Sequence, residues 1–246
     1  MRLKFLGTGD AFGSGGRFNT CFLAERGEQS FLIDCGASAM ISMRRFGADP
    51  NRIGGILLSH LHGDHFGGLP FFILDAQFVS KRTRPLLIAG PEGTSARLEA
   101  LMEVMFPGSA KWERKFAIEH IELKLEKAAT LGALGVLATA FPVIHPSGSP
   151  SLALRLDCDG KVISYSGDTE WTDSLVDAAR GADLCILECY WYQRKGSFHL
   201  DWHTLREKLP LLEARRVILT HLSQEMLKQV SAIPLEVAAD GLEVEI

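Results

Sequence analysis

The 246-residue chain lacks an apolar run long enough to span a bilayer. Its first residues, MRLKFLGTGDAFGSGGRF, also lack the continuous apolar segment and small-residue cleavage site of a signal peptide. We therefore expect a cytoplasmic protein with no membrane partner. No Pro/Gly/Ser-rich linker and no short repeat divides the sequence, so the simplest expectation is one domain over residues 1–246.

Cysteine is scarce, and the five cysteines include no CxxC pair. An odd number without paired spacing argues against a disulfide framework and against a four-cysteine zinc site. Positive charge is also in deficit, because the formal net charge is -4. General nucleic-acid binding requires a concentrated basic face, so this class of function is disfavoured. The two short basic clusters, at residues 81–84 and 111–115, are interpreted as solvated surface.

Short apolar runs typical of strands recur along the whole chain, and amphipathic helical patterns alternate with many of them. The predicted strands are residues 2–7, 20–24, 30–34, 54–59, 85–90, 135–141, 151–156, 161–167, 182–188 and 215–221. The predicted helices are residues 37–46, 69–79, 93–105, 172–180 and 202–212. This alternation indicates an α/β fold with two sheets and covering helices.

A histidine-rich stretch, SHLHGDH, directly follows the predicted strand 54–59 and contains His60, His62, Asp64 and His65, although the chain has only eight histidines. Imidazole and carboxylate are ligands that divalent zinc, manganese and iron accept. The i, i+2 pair His60 and His62 can point the same way from extended backbone, whereas Asp64 and His65 do not easily reach the same point. We therefore predict two adjacent divalent ions, with zinc expected and manganese or iron also compatible.

Three further polar residues end predicted strands. His145 follows FPVI, Asp168 follows VISYSG, and His221 follows RRVILT. Loops at strand ends carry ligands in layered α/β proteins, and these side chains are therefore candidates to complete the two metal sites. Asp168 has two carboxylate oxygens with which it can bridge both ions.

Taken in chain order, these residues resemble the metal-ligand pattern of the metallo-β-lactamase-fold hydrolases. The resemblance implies a four-layer αββα sandwich. It also implies that one ion is held by His60, His62 and His145, that the other is held by Asp64, His65 and His221, and that Asp168 bridges them. Asp34, in the stretch FLIDCG, resembles a family aspartate that orients a ligand histidine.

Within that superfamily, FLIDCG, SHLHGDHFGGLP, YSGDT and VILTHLS are most similar to ribonuclease Z and its phosphodiesterase relatives. Only twenty-two residues separate His145 from Asp168, which leaves no room for the tRNA-binding arm that ribonuclease Z carries there. We therefore predict a hydrolase with two metal ions that acts on a small or cyclic phosphodiester, and tRNA is not the expected substrate. Relatives are often dimers, so a homodimer is also considered.

The resemblance further implies a proton-donating histidine ahead of the last metal ligand, and both His199 and His203 match. We favour His199, because Asp201 is suited to cap a helix and would leave His199 in the preceding loop. Glu188, which ends a predicted strand, resembles a family glutamate that would hydrogen-bond His199. The predicted catalytic residues are Asp64, which also ligates a metal and takes up a proton, His199 and Glu188.

The metal core does not define which bond is attacked. Two alternatives therefore stay open: hydrolysis of a thioester or lactone on the same core, and a non-catalytic metal-dependent binding protein. The glycine-rich start, GTGDAFGSGGR, lacks the GK[ST] ending of a phosphate-binding loop, and we expect it to form a loop beside the mouth of the active site.

Overall fold

The structure is a computed structural model that describes residues 1–193 and 196–246. The strands, in chain order, are β1 (Arg2–Gly7), β2 (Cys21–Arg26), β3 (Gln29–Ile33), β4 (Ile53–Leu57), β5 (Leu86–Gly90), β6 (Ile118–Glu122), β7 (Ala128–Leu131), β8 (Val136–Pro142), β9 (Leu152–Cys158), β10 (Lys161–Tyr165), β11 (Leu184–Glu188), β12 (Val217–Thr220), β13 (Glu236–Val237) and β14 (Glu243–Glu245). The helices are α1 (Ala39–Arg45), α2 (Gly63–Phe66), α3 (Leu69–Leu74), α4 (Thr94–Met105), α5 (Ser174–Ala179), α6 (Trp202–Lys208) and α7 (Gln224–Leu227). A π-helical turn, Asp75–Val79, continues α3, so the predicted helix over residues 69–79 changes its hydrogen-bonding pattern halfway.

The strands of the described chain form two sheets of seven strands each. The spatial order is β14-β1-β2-β3-β4-β5-β6 in the first sheet and β13-β12-β11-β10-β9-β8-β7 in the second. Strands β3 to β6 run parallel, and so do β10 to β13. The carboxyl ends of parallel strands lie at one edge of a sheet, and the loops that leave these strands therefore meet there.

Alternating side chains on the central strands enter two different cores. In β1 and β2, Phe5 and Phe22 point into the core between the sheets, whereas Leu6 and Leu23 point into the core beneath α1, α3 and α4. A third apolar cluster lies between the second sheet and α6 and α7 and includes Leu205. The order of layers is thus helix, sheet, sheet, helix, which confirms the predicted four-layer αββα architecture.

All ten predicted strands are present, and four further strands were not predicted. Each of these four, β6, β7, β13 and β14, is the outermost strand on one side of its sheet. Their sequences are IEHIE, AATL, EV and EVE, and most of their side chains are partly or fully exposed. Edge strands bury little surface, so they carry too few apolar residues to give a strand signal. Among the described residues, none of the helices combines the length and hydrophobicity needed to cross a bilayer.

Candidate metal centre

The seven predicted metal ligands come together at the seam between the two sheets. On the first sheet, the chain leaves β4 at Leu57 and reaches His60 three residues later, and α2 carries both Asp64 and His65. His62 precedes that helix in extended conformation, with φ -77° and ψ 152°. On the second sheet the remaining ligands follow strands β8, β10 and β12; they are His145, Asp168 and His221. Each sheet thus supplies part of the centre.

The ligand atoms fall into two adjacent groups, and within each group they all lie within 4.8 Å of one another. The first group is His60, His62 and His145. The second is Asp64, His65, Asp168 and His221. Asp168 Oδ2 lies 3.4 Å from His221 Nε2 and 3.9 Å from both His60 Nε2 and His145 Nε2, so this carboxylate stands between the groups. The division is the one that the sequence resemblance implied.

The nitrogen and oxygen atoms that would bind the metal ions face one another with their lone pairs. His65 donates its Nδ1 proton to Asp34, and its Nε2 atom carries a lone pair when the ring is neutral. That Nε2 atom lies 3.4 Å from Asp64 Oδ2 and 3.3 Å from Asp168 Oδ1, both of which are acceptors. His60 Nε2 is buried without a hydrogen-bond partner in the described structure. Buried acceptors in mutual contact are costly unless a cation satisfies them, and this nitrogen and oxygen set fits divalent metal ions.

One buried carboxylate orients two of the imidazoles. Asp34 has a left-handed backbone with φ 57° and accepts hydrogen bonds from Ser59 N at 2.7 Å, Ser59 Oγ at 2.8 Å and His65 Nδ1 at 2.7 Å. Ser59 Oγ in turn lies 3.1 Å from His60 Nδ1 and accepts its proton when that ring is neutral. On the second sheet, His145 Nδ1 donates to the Phe198 carbonyl at 2.8 Å. Each of these bonds to Nδ1 directs Nε2 toward the centre.

Charges in the centre are arranged for metal ligation. Burial lowers the pKa of His145 to about 4, and burial together with nearby His65 holds the pKa of His60 well below its usual value. Burial alone would raise the pKa of Asp168, but His221 and His65 outweigh it and hold that pKa well below its ordinary range. His60 and His145 are therefore neutral and the bridging carboxylate is ionised, which are the protonation states that bind metals. Burial lowers the pKa of His65, but Asp168, Asp64 and Asp34 outweigh it and raise that pKa well above its usual value, so a metal ion would displace the Nε2 proton.

Close backbone contacts set α2 beneath the centre. A Cβ atom added to Gly36 would lie 2.2 Å from the carbonyl oxygen of Asp64, and one added to Gly68 would lie 2.2 Å from the carbonyl oxygen of Gly36. Cys35 N also donates to His65 O at 2.6 Å. Only glycine permits this approach between the loop after β3 and the helix that carries two of the ligands.

A cavity of about 540 Å³ opens over the centre and contains the predicted proton donor. His199 Nδ1 lies 3.1 Å from both carboxylate oxygens of Glu188 and donates to them, so the contact expected between these residues is present. Burial raises the pKa of Glu188. Burial lowers the pKa of His199, but the Glu188 charge and hydrogen bond outweigh it and raise that pKa to about 9. His203 is exposed on α6, after the Asp201 cap, and does not line the cavity.

Asn19, Ala37 and Tyr190 also line the cavity and were not predicted from the sequence, whereas Asp10, Ala11 and Phe12 belong to the glycine-rich segment that was expected beside its mouth. Asp10 follows β1 just as the metal ligands follow their strands, so the same signal could have identified it. It is fully buried and accepts hydrogen bonds from Phe12 N, Ser14 N and Ser14 Oγ, which shapes the glycine-rich segment into a loop beside the cavity, as expected. Burial, together with the charge and hydrogen bond of Asp10, raises the pKa of Tyr190 to about 12.

Comparisons with known proteins agree with this geometry. The family described as "Anti-Pycsar protein Apyc1" matches residues 1–234. Ribonuclease Z of Haloferax volcanii is 27% identical over 303 residues, which cover 100% of this chain and 95% of that protein. The crystal structure of the short form of human tRNase Z is 25% identical, with a TM-score of 0.81, and the alignment covers 100% of this chain and 99% of that chain.

A diphosphatase from the PhnP family has a TM-score of 0.79 at 19% identity, covering 100% of this chain and 97% of that chain, which is a likeness of fold. The family match extends over all seven candidate ligands and over every strand except β13 and β14. The chain therefore belongs to the family described as Anti-Pycsar protein Apyc1, within the ribonuclease Z and phosphodiesterase-like branch of the metallo-β-lactamase-fold hydrolases.

Proposed function

We propose that this protein is a hydrolase with two divalent metal ions that cleaves a small or cyclic phosphodiester. The observation that carries the proposal is the presence of seven nitrogen and oxygen donors, in two adjacent groups, beneath one cavity. The relatives named ribonuclease Z support it, because a ribonuclease hydrolyses phosphodiester bonds.

Residues of both sheets would hold the ions. His60, His62 and His145 would hold one, and Asp64, His65 and His221 would hold the other, with Asp168 shared. We propose zinc, because imidazole predominates among the donors, although manganese and iron accept the same ligand types. When bound, such ions activate water and neutralise charge on the phosphoryl oxygens.

The chain itself would supply proton transfer. Asp64 lies at the floor of the cavity with Oδ2 at 3.2 Å from His221 Nε2, where it can take up the proton of the attacking water. His199 donates a hydrogen bond from Nδ1 to Glu188 and keeps that proton. Its Nε2–H group is then the one that can protonate the departing oxygen. The buried Glu188 also accepts from Thr169 N at 2.5 Å, and this bond holds the carboxylate in place.

The cavity favours a small substrate. Its volume of about 540 Å³ is within the range of sites for small molecules, about 300–1,000 Å³. Strands β9 and β10 occupy most of the interval between His145 and Asp168, where a tRNA-binding arm would have to emerge. Phe12 stands at the rim with 81% of its surface exposed and offers an apolar contact to the rest of the substrate.

We also propose a homodimer, because one face of the chain is unusually apolar. Ile41, Phe71, Phe78 and Val79 are exposed on α1, on α3 and on the π-helical turn. Phe71 lines two neighbouring apolar grooves of about 620 and 460 Å³. A two-fold axis would bring this apolar patch of one subunit against the same patch of its partner. Sedimentation velocity should give a dimer for the wild type and a monomer for Phe71→Asp, whereas Leu211→Asp, on another exposed surface, should stay dimeric. A monomeric wild type at all concentrations contradicts the proposal.

Two further proposals concern the whole chain. The core between the sheets draws residues from Leu3 through Val244, which supports one domain over residues 1–246. The five cysteines are free and buried, which suits a reducing compartment, and we propose a cytoplasmic location.

A substrate panel tests the proposed activity. Wild-type protein, metal-stripped protein and Asp168→Ala would each be assayed on a bis-aryl phosphodiester, a cyclic dialkyl phosphate, a thioester and a lactone, with elemental analysis of the same preparations. We expect two ions per chain and hydrolysis of the phosphodiesters by the metal-loaded wild type alone. Cleavage of the thioester or lactone instead would assign carbonyl hydrolysis, and two bound ions without any turnover would assign a binding protein.

His199→Ala tests the proton donor. We expect it to lower turnover of the cyclic dialkyl phosphate, whose alkoxide leaving group requires a proton, while leaving the metal content intact. Equal loss of activity and metal would give His199 a structural role.

A further inference from the structure

Tyr190 lies between the Glu188–His199 pair and the glycine-rich loop. It follows β11 by two residues and is 8% exposed. The plane of its ring is inclined by 32° to the His199 ring at a centroid distance of 4.7 Å. The Trp191 ring packs edge-on against the Tyr190 ring at a centroid distance of 4.6 Å. The imidazole of His199 is therefore covered on one side by an aromatic ring.

The backbone of Tyr190 is held on both sides. Tyr190 N donates to Leu200 O at 3.0 Å, and Tyr190 O accepts from Ser223 N at 3.3 Å. These two bonds fix the position of the backbone from which the ring reaches His199. The Glu188 bond constrains the Nδ1 end of His199, and three rings pack around its imidazole. His145 lies edge-on at 4.9 Å and His221 is stacked at 5.9 Å, while the Tyr190 ring is the nearest of the three at 4.7 Å.

Tyr190 also lines the cavity together with His199, so its ring forms part of the wall beside the proton donor.

We propose that Tyr190 is a positioning residue whose ring orients His199 toward the leaving oxygen. The inference rests on the proposed phosphodiesterase activity. The effect should appear in kcat and not in KM, because the ring acts on proton delivery.

Two substitutions test the role of the ring in the metal-loaded enzyme. Tyr190→Phe keeps the ring, so we expect kcat within about twofold of wild type. Tyr190→Leu removes the ring, and we expect kcat on a cyclic dialkyl phosphate to fall by about ten- to hundredfold, as for a misplaced catalytic group. Tyr192→Leu, at a tyrosine that instead contacts His203, is the matched control and should change neither constant.

The choice of leaving group and a double-mutant cycle distinguish positioning from damage. A nitrophenolate leaves without protonation, so Tyr190→Leu should cost about threefold or less in kcat on a bis-nitrophenyl phosphodiester. In the His199→Ala background it should not lower kcat further on either substrate. If Tyr190→Leu does not fold, Tyr190→Met provides the same measurement.

Equal losses on the two phosphodiesters, or a loss that multiplies with that of His199→Ala, would overturn the effect assigned to the ring. A fall in kcat in Tyr190→Phe as large as that in Tyr190→Leu would overturn it as well. A wild-type enzyme that cleaves neither phosphodiester would overturn the proposed function, a result that is separate from any effect of Tyr190.

Discussion

Replacing Asp34 with asparagine tests whether one buried carboxylate determines which nitrogen of His65 is free to bind a metal. Asparagine is nearly isosteric and tolerates the left-handed backbone that this position adopts, so the fold should form. The asparagine amide has one oxygen, so it cannot accept hydrogen bonds from both Ser59 N and His65 Nδ1 as the two oxygens of Asp34 do. The Oδ1 position must still accept from Ser59 N, and the NH₂ group then faces His65 Nδ1 and donates to it.

The magnitude follows from these contacts. With Nδ1 accepting, the neutral His65 ring carries its proton on Nε2, the atom directed at the metal centre. We expect metal affinity to fall by about 10–100-fold, the usual cost of losing a carboxylate that orients a ligand. The metal-free protein should lose only about 1–3 kcal/mol of unfolding free energy, because one charge-assisted hydrogen bond is replaced by a weaker one.

Competition with a chromophoric zinc chelator measures the affinity, and urea unfolding of metal-free protein measures the stability. Asp177→Asn is the matched control, since that carboxylate lies on the surface beside Arg180, and it should change neither quantity. If Asp34→Asn binds two ions with wild-type affinity, the tautomer of His65 is not set by this carboxylate and the reasoning is wrong.

Three further predictions concern packing. Gly36→Ala should destabilise the fold by about 1–3 kcal/mol and lower the melting temperature, because its Cβ would overlap the Asp64 carbonyl, whereas Gly63→Ala, with open space around it, should melt as the wild type does. Phe22→Ala should cost about 3–5 kcal/mol in urea unfolding, because its fully buried ring packs against Phe5 and Tyr165 at centroid distances of 5.0 and 5.3 Å. Burial raises the pKa of Cys185 to about 12, so native protein at pH about 8 should show almost no thiol reactive to a disulfide reagent, and denatured protein should show all five.

The convergence of the seven candidate metal ligands was predictable because their signal is local. The spacing of His60, His62, Asp64 and His65 encodes a ligand cluster within one short segment, and His145, Asp168 and His221 each end a recognisable strand. The short helix α2 was not predicted, since four residues are too few to show helical periodicity. The one-domain prediction for residues 1–246 remains a prediction.

The walls of the cavity were less predictable, because tertiary packing decides them. Nothing in the local sequence around Tyr190 indicates that its ring packs against His199 beside the cavity. The four outer strands were not predicted, because they bury little surface and their sequences therefore show too little apolar patterning to indicate a strand.

The position of the metal centre at the seam has a consequence for folding. Four candidate ligands belong to the first half of the sandwich and three to the second, so each half alone offers only an incomplete set. Ions bound there would cross-link the two halves. The free energy needed to separate the halves on unfolding would then depend on the concentration of free metal. A thousandfold excess of free metal over its dissociation constant at one such site adds about 4 kcal/mol against unfolding, so chelation should lower the melting temperature as well as remove activity.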